Sequence, residues 1–306
     1  MSSPALLRTK AELAAARPAL PAPVVLVPTM GALHAGHRAL LRAARAAAGP
    51  DPSAGSVIVS VFVNPLQFRP TEDLDRYPRT LEADLAMCAE EGVRAVFAPS
   101  AAEMYPGGRP EVRVDPGPMG QGFEGEFRPG FFGGVLTVVL KLCHLVRPDV
   151  AVFGEKDAQQ LALVRRLVSD TDLGLVIEPV PTVRDPDGLA TSSRNRFLSP
   201  ADRALALTLP RALRAGAARA GAGAAAVLAA AREVLLAEPA LAVDYVAVVD
   251  PRTFGPAGPG PALIVAAATA GGTRLIDNVP VVLPPDGRAG PDNRNRERDF
   301  RGAADH

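Results

Sequence analysis

Val24-Val25-Leu26-Val27-Pro28-Thr29-Met30-Gly31-Ala32-Leu33-His34-Ala35-Gly36-His37 passes from an apolar run to a helix-like pattern within a single short stretch. Four consecutive aliphatic residues read as a buried strand, and the spacing from Gly36 to Ala48 reads as a helix. This layout places two imidazoles at a helix N-terminus. Unpaired N–H groups and the positive end of the helix dipole favour an anion there, and Gly31 and Gly36 let the backbone approach it. His34 and His37 are three apart, so on a helix they share a face and reach one polyphosphate as donors or proton carriers. A solvated polar pair is the plainer alternative. A metal pair ranks last, because the only other histidines are His144 and His306, and Cys88 and Cys143 lack zinc-ligand spacing.

Outward from this stretch, short β-branched runs alternate with longer helical patterns. Strands are expected at Val24–Val27, Val57–Val63, Arg94–Ala98, Val150–Phe153 and Leu175–Val180, and helices at Gly36–Ala48, Leu81–Glu91, Val135–Val146 and Asp157–Val168. The alternation predicts an α/β fold, a Rossmann-like doubly wound parallel sheet with helices on both faces. Ligands of such sheets bind beyond the carboxyl ends of the strands, which is where polar clusters follow Val27, Val63 and Phe153. Past Val180 the character changes to an arginine-rich stretch, alanine-rich helices from about Pro200 to Glu238, and strands at Val243–Val249, Leu263–Ala268 and Thr273–Asn278. The expected domains are 1–182, a smaller α+β domain at 183–283, and a disordered tail at 284–306.

The chain has 306 residues, long enough for a substantial core, and its 33 basic residues balance 33 acidic ones. That balance argues against a nucleic-acid or anionic-membrane binder, so an anion site must be local. Lys10, Lys141 and Lys156 are the only lysines among many arginines, which singles out Lys156. Two cysteines, no secretory signal and no membrane-length apolar run point to a cytoplasmic protein.

Phe153-Gly154-Glu155-Lys156-Asp157-Ala158-Gln159-Gln160 joins a strand to a helix and puts an ammonium at the sheet's functional edge, suited to charge developing in phosphoryl or nucleotidyl transfer. Asp157 with Gln160 three residues on resembles a capping box, a structural reading that competes with a binding role for Gln160. Asn64-Pro65-Leu66-Gln67 offers two carboxamides, suited to the hydroxyls and carboxylate of a small substrate, or simply a turn. Thr191-Ser192-Ser193-Arg194-Asn195-Arg196 supplies hydroxyls and guanidinium forks for polyphosphate, or a basic linker. Asp115–Gly134, rich in glycine, proline and phenylalanine, reads as a mobile flap or a plain surface loop. Neither a Gly-x-x-x-x-Gly-Lys-Ser/Thr loop nor a Gly-x-Ser-x-Gly elbow occurs. The residues alone thus describe an α/β enzyme that binds a nucleoside triphosphate and a small polar co-substrate.

Taken in order, Pro28-Thr29-Met30-Gly31, Tyr77-Pro78-Arg79-Thr80, Gly134 to Val139, Gly154-Glu155-Lys156-Asp157, Ser192 to Arg196 and Thr273 to Asn278 resemble the pantothenate synthetase (pantoate–β-alanine ligase) family of the HIGH-type nucleotidyltransferases. The resemblance spans all but the extreme termini. It implies activation of pantoate as an acyl-adenylate by ATP with Mg2+, attack by β-alanine, and a homodimer. Carried over by motif, Met30, Gly31, Ala32, Leu33, His34, Ala35, Gly36 and His37 line the ATP site, together with Gly154, Glu155, Lys156, Asp157, Val183, Thr191, Ser192, Ser193 and Arg194. His37 takes the proton-donor position, and His34, Lys156 and Arg194 complete the catalytic set. Gln67 and Gln160, with Asn64, hold pantoate, and Gln67 also meets β-alanine. Three departures stand out: Thr191 for the usual methionine, Ala158 for a larger residue, and Phe131 where many members carry histidine, which puts an imidazole role in the flap in doubt.

Overall fold

The computed structural model describes residues 3–49, 51, 54–68 and 77–285, and these fall into two compact units divided between Val183 and Arg184. In the first unit, strands β1 (Ala5–Leu7), β2 (Val24–Thr29), β3 (Ser56–Val61), β4 (Ala95–Phe97), β5 (Val150–Gly154) and β6 (Val176–Val180) form one parallel sheet in the order β1-β4-β3-β2-β5-β6. The order reverses direction between β2 and β5, the switch point beyond whose carboxyl ends α/β sheets bind ligands. The expected doubly wound α/β class is therefore the observed one.

Successive side chains of a strand point to opposite faces, and here both faces are covered. Leu26, Ile58, Phe97 and Phe153 face a cluster that includes Val135, Leu136 and Val139 of helix α6 (Phe131–Val146). Val25, Val27, Val57, Val59 and Val152 face the opposite way, against Leu41 and Ala44 of helix α2 (Ala35–Ala47) and Cys88 of helix α3 (Leu81–Glu90). The continuous aliphatic runs are thus the mark of strands buried on two sides.

Several boundaries differ from the sequence reading, each for a local reason. Strand β2 continues through Pro28 and Thr29, paired with Ser60 and Val61 of β3, whereas its pairing with β5 is confined to Val25 and Leu26. Pro28, which has no N–H to give, therefore breaks no ladder on the β5 side. Strand β3 stops at Val61 rather than Val63, because Asn64 caps a 3-10 turn at Pro65–Gln67. Strand β1 and helix α1 (Lys10–Ala16) were not expected. The strand is only three residues long, and the helix starts from a Thr9–Glu12 capping box. The capping box read at Asp157 and Gln160 does not form: a 3-10 turn at Glu155–Asp157 leads into helix α7 (Ala158–Asp170), and Asp157 makes no side-chain cap bond.

The Asp115–Gly134 stretch, read as a mobile flap or a plain surface loop, contains short helical elements. Beyond helix α4 (Ala101–Met104), which lies upstream, it carries a 3-10 turn at Pro118–Gly120 and helix α5 (Glu124–Phe127), while α6 begins four residues before the expected Val135. Buried Gln159 holds it: its Oε1 accepts from Glu124 N at 3.1 Å, and its Nε2 donates to Met119 O at 2.9 Å and Gly122 O at 3.0 Å.

In the second unit, helices α8 (Pro200–Ala206), α9 (Thr208–Ala217) and α10 (Ala224–Leu236) accompany an antiparallel sheet of β7 (Ala242–Val249), β8 (Gly260–Ala270) and β9 (Thr273–Leu283). The last two strands run longer than expected. Gly271 and Gly272, at φ 53° and 78°, close them into a two-residue hairpin that keeps the register unbroken. The expected disordered tail lies outside the described residues from position 286 onward.

Candidate active site

Thr29, Gly31 and Ala32 shape the turn between β2 and α2. Thr29 Oγ1 donates to Ser60 O at 2.8 Å and accepts from Gly31 N at 3.1 Å. Gly31 and Ala32 are both left-handed, at φ 82° and 53°. A Cβ on Gly31 would lie 2.9 Å from Val61 Cγ1, so only glycine fits there. The chain then enters the helix through His34 as an extended N-cap, not through two histidines on one helical face. Gly36 N donates to His34 Nδ1 at 3.1 Å, His34 N donates to His37 Nδ1 at 3.2 Å, and the ring centroids are 4.1 Å apart.

Two consequences follow from these bonds. The N–H groups of Ala32 and Leu33 go to the carboxylate of Asp84, at 3.1 and 2.9 Å, so much of the helix-start backbone expected to greet an anion is satisfied inside the protein. Each imidazole accepts at Nδ1, which leaves Nε2 to carry the ring's N–H.

His37 stays neutral at physiological pH. Burial, above all, and then the neighbouring His34 push its pKa down to about 3 from the ordinary 6.5; Asp157 pulls it up and Lys156 lowers it further. Lys156 Nζ lies 3.6 Å from Asp157 Oδ1. Parallel pairing of β2 with β5, and the approach of Gly154 to Leu40 of α2, where an added Cβ would lie 3.8 Å from Leu40 Cδ2, place the β5–α7 turn beside the β2–α2 turn, at the switch point. Because unfolded His37 binds a proton that folded His37 refuses, stability is full above about pH 6.5 and falls as the pH drops from there toward 3. The His37 ring is accordingly expected to remain neutral in an NMR titration at pH 5. An imidazolium signal emerging near pH 6.5 would contradict the buried, Nδ1-accepting geometry.

The third turn, after β3, builds a neutral nest. Tyr105 OH donates to Asn64 Oδ1 at 3.0 Å, and Asn64 Nδ2 donates to Gln67 Oε1 at 2.9 Å and to Gly134 O at 3.1 Å. Asn64 is fully buried with both amide ends engaged, so it acts on Gln67. Its bond to Gln67 Oε1 turns the Gln67 N–H pair to the side that can meet an acceptor. Arg128 donates to Gln67 O at 3.2 Å, with its guanidinium carbon 3.6 Å from the centre of the Phe131 ring. Phe131 thus supports a cation where an imidazole was in question. Gln160 is half-buried on the first turn of α7, next to the flap-anchoring Gln159.

The remaining expected residues lie in the second unit, apart from Val183, which ends the first. Ser192 caps a 3-10 turn at Ser193–Phe197 through Arg194 N at 3.3 Å. Thr191 Oγ1 donates to Asp185 Oδ1 at 2.7 Å, and Arg203 and Asn195 donate to Asp185 Oδ2 at 2.8 and 3.2 Å. These bonds hold the Asp185 carboxyl below the usual range against the opposing pull of its burial. Arg184 forks onto buried Asp277 at 2.7 and 2.9 Å, tying the start of the same loop to β9. Among the described residues no group of three or more His, Cys, Asp or Glu is arranged to hold a metal.

A sequence model described as pantoate-beta-alanine ligase matches residues 5–280. The chain belongs to the pantoate–β-alanine ligase family. A pantothenate synthetase of Acidothermus cellulolyticus is 59% identical over 91% of this chain and 92% of its own length. One from Thermobifida fusca is 58% identical over 92% of this chain and 97% of its own. Among solved structures, the pantothenate synthetase of Thermus thermophilus superposes with a TM-score of 0.82 at 48% identity, covering 90% of this chain and 98% of that one. The pantoate-beta-alanine ligase of Francisella tularensis, solved with beta-gamma ATP and beta-alanine, gives 0.74 at 32% identity, covering 90% and 97%.

In this pantoate–β-alanine ligase chain the Thr191 hydroxyl locks onto Asp185. Four residues escaped sequence reading: Asp84, Tyr105, Arg128 and Gln159. Asp84 reads as an ordinary acidic residue in a helix's first turn, Tyr105 follows a four-residue helix, and Gln159 stands beside the more conspicuous Gln160. Only tertiary contacts distinguish them, although the scarcity of tyrosine in this chain is a faint signal for Tyr105.

Proposed function

We propose that this chain condenses pantoate with β-alanine at the expense of ATP, through a pantoyl-adenylate. The observation that carries the reading is the pairing at one sheet edge of the Nδ1-accepting His34 and His37 imidazoles, beside the turn that carries Lys156, with an uncharged carboxamide nest at Gln67. A pantoate carboxylate oxygen attacks the α-phosphorus, and the bond to pyrophosphate breaks. The β-alanine amine then attacks the acyl carbon, loses a proton, and AMP departs with the acyl C–O electron pair. His34, His37 and Lys156 meet the charge that grows on the phosphate oxygens in the first step. The family resemblance assigns Arg194 to the same catalytic set, and ATP to Met30 through His37, Gly154 through Asp157, Val183 and Thr191 through Arg194. Gln67 and Gln160 hold pantoate without a charge pair that would blunt its nucleophilic carboxylate, Asn64 sets Gln67, and Gln67 also meets β-alanine.

Mg2+ enters with the triphosphate. With no group of three or more His, Cys, Asp or Glu so arranged among the described residues, the ion would be carried mainly by phosphate and water oxygens, with Asp157 as a carboxylate on the adjoining turn. When bound it neutralises phosphate charge. The resemblance further suggests a homodimer, which light scattering reads directly, and a cytoplasmic location; no helix among the described residues is long and apolar enough to cross a membrane.

Purified protein given pantoate, β-alanine and Mg-ATP should release AMP and pyrophosphate in an amine-dependent manner. Formation of ADP would defeat the adenylate route. Gln67→Ala should raise the pantoate concentration needed for half-maximal rate by about 10-fold or more, while leaving the ATP requirement nearly intact. The reverse pattern would reassign Gln67.

A further inference from the structure

We infer that Asp84 is the positioning residue of the ATP-site turn, a built-in anion that holds Ala32, Leu33 and, through them, the two histidines in register. This rests on the ligase reading and deepens it. The Asp84 side chain is almost fully buried, and its two oxygens take consecutive backbone donors: Oδ2 accepts from Ala32 N at 3.1 Å and Oδ1 from Leu33 N at 2.9 Å. Thr80 Oγ1 donates to Oδ1 at 3.2 Å. Successive N–H groups around left-handed residues form a concavity that prefers an anion, and Gly31 and Ala32 are such residues. The carboxylate fills that concavity from below.

A negative group under a triphosphate site repels the ligand in part, so its presence needs a compensating use. The use lies in the next residue. Leu33 immediately precedes His34, whose extended N-cap conformation aligns its Nδ1 with Gly36 N and its own N–H with His37 Nδ1. Shifting Leu33 N would break this relay and release both rings from their single tautomer. Helix α3 grips α2 a second time at its far end, where Glu91 accepts from Arg38 at 2.7 Å and Arg42 at 3.0 Å. The histidine turn is therefore referenced to α3 at two points. A carboxylate near ATP is ordinarily suspected of holding Mg2+, but here both oxygens are already directed at N–H donors.

The test is Asp84→Asn, which keeps the shape but sets an NH2 against one of the two backbone N–H groups. Pantoate-dependent ATP–pyrophosphate exchange should slow by about 10- to 100-fold, the scale expected of misplaced catalytic groups. The KM values for pantoate and β-alanine should hold, because the Gln67 nest rests on Tyr105, Asn64 and Gly134. Ring 15N shifts should show His34 and His37 as single Nε2–H tautomers in the parent and as mixtures in the variant, a readout that a generally loosened fold would not move selectively. If Asp84→Asn does not fold, Thr80→Val should show the same two changes in weaker form. Unchanged exchange with unchanged ring shifts overturns the inference, and so does a loss of rate that excess Mg2+ restores. Absence of exchange in the parent protein would instead defeat the ligase reading itself.

Discussion

Replacing His37 or Lys156 with alanine is expected to lower turnover by about two to four decades, with a smaller change in the ATP concentration needed for half-maximal rate. On the proposed reading both side chains are donors that meet the negative charge growing during adenylate formation, so their effect is differential. A group that met the ground-state triphosphate equally well would alter KM alone. His37 can act without gaining a proton, since burial keeps its ring neutral and its Nδ1 accepts from His34 N. It follows that turnover should not show an ionisation near pH 6.5 that disappears in His37→Ala. Lys156, with its ammonium 3.6 Å from Asp157 Oδ1, is proposed to add a positive charge beside the imidazoles. Rapid-quench measurement of the first turnover, before β-alanine is added, isolates the step concerned. Unimpaired adenylate formation in either variant would withdraw the role assigned to that residue.

The second large effect is expected at Gly134, whose replacement by alanine should destabilise the first unit by about 1–3 kcal/mol and weaken pantoate use at the same time. A Cβ at this position would lie 2.2 Å from Leu66 O and 2.6 Å from Leu66 C, and backbone atoms on that turn cannot swing aside as a flexible side chain would. The turn carries Gln67, and Gly134 O is itself the acceptor for Asn64 Nδ2 at 3.1 Å. Relief of the clash must therefore move α6 away from the very turn that orients the carboxamide. Gly133→Ala makes a suitable comparison, because the added carbon there lies 3.3 Å from Val114 O, a distance that a small shift accommodates. Equal denaturation midpoints and equal pantoate requirements for Gly134→Ala and the parent would show that the packing at this helix is looser than the structure indicates.

Much of the first unit was legible because its signals are local. Strands β2 to β5 are built on short apolar runs, and two-faced burial produces such runs. Strand β1 escaped because three residues, Ala5–Leu7, carry too little pattern, and their pairing with Ala95–Phe97 is a long-range event. The start of α6 was misread because Phe131, Phe132, Gly133 and Gly134 look like loop, whereas close packing of glycine against Leu66 makes them helix. At Asp157 the local capping pattern lost to a 3-10 turn ahead of α7.

By itself the sequence determined the alternation of strand and helix, the placing of His34, His37, Lys156 and Gln67 at strand ends, and the family to which these motifs belong. All of these depend on periodicity and on the identity of neighbouring residues. The tertiary structure alone decided how the groups are aimed. Asp84 takes the backbone donors that would otherwise await an anion, the imidazoles accept backbone N–H groups at Nδ1, and Tyr105 through Asn64 orients Gln67. Each of these depends on a hydrogen-bond partner dozens of residues away or on the angle of a ring. Such contacts arise only once burial of the two sheet faces has brought distant turns to a common edge.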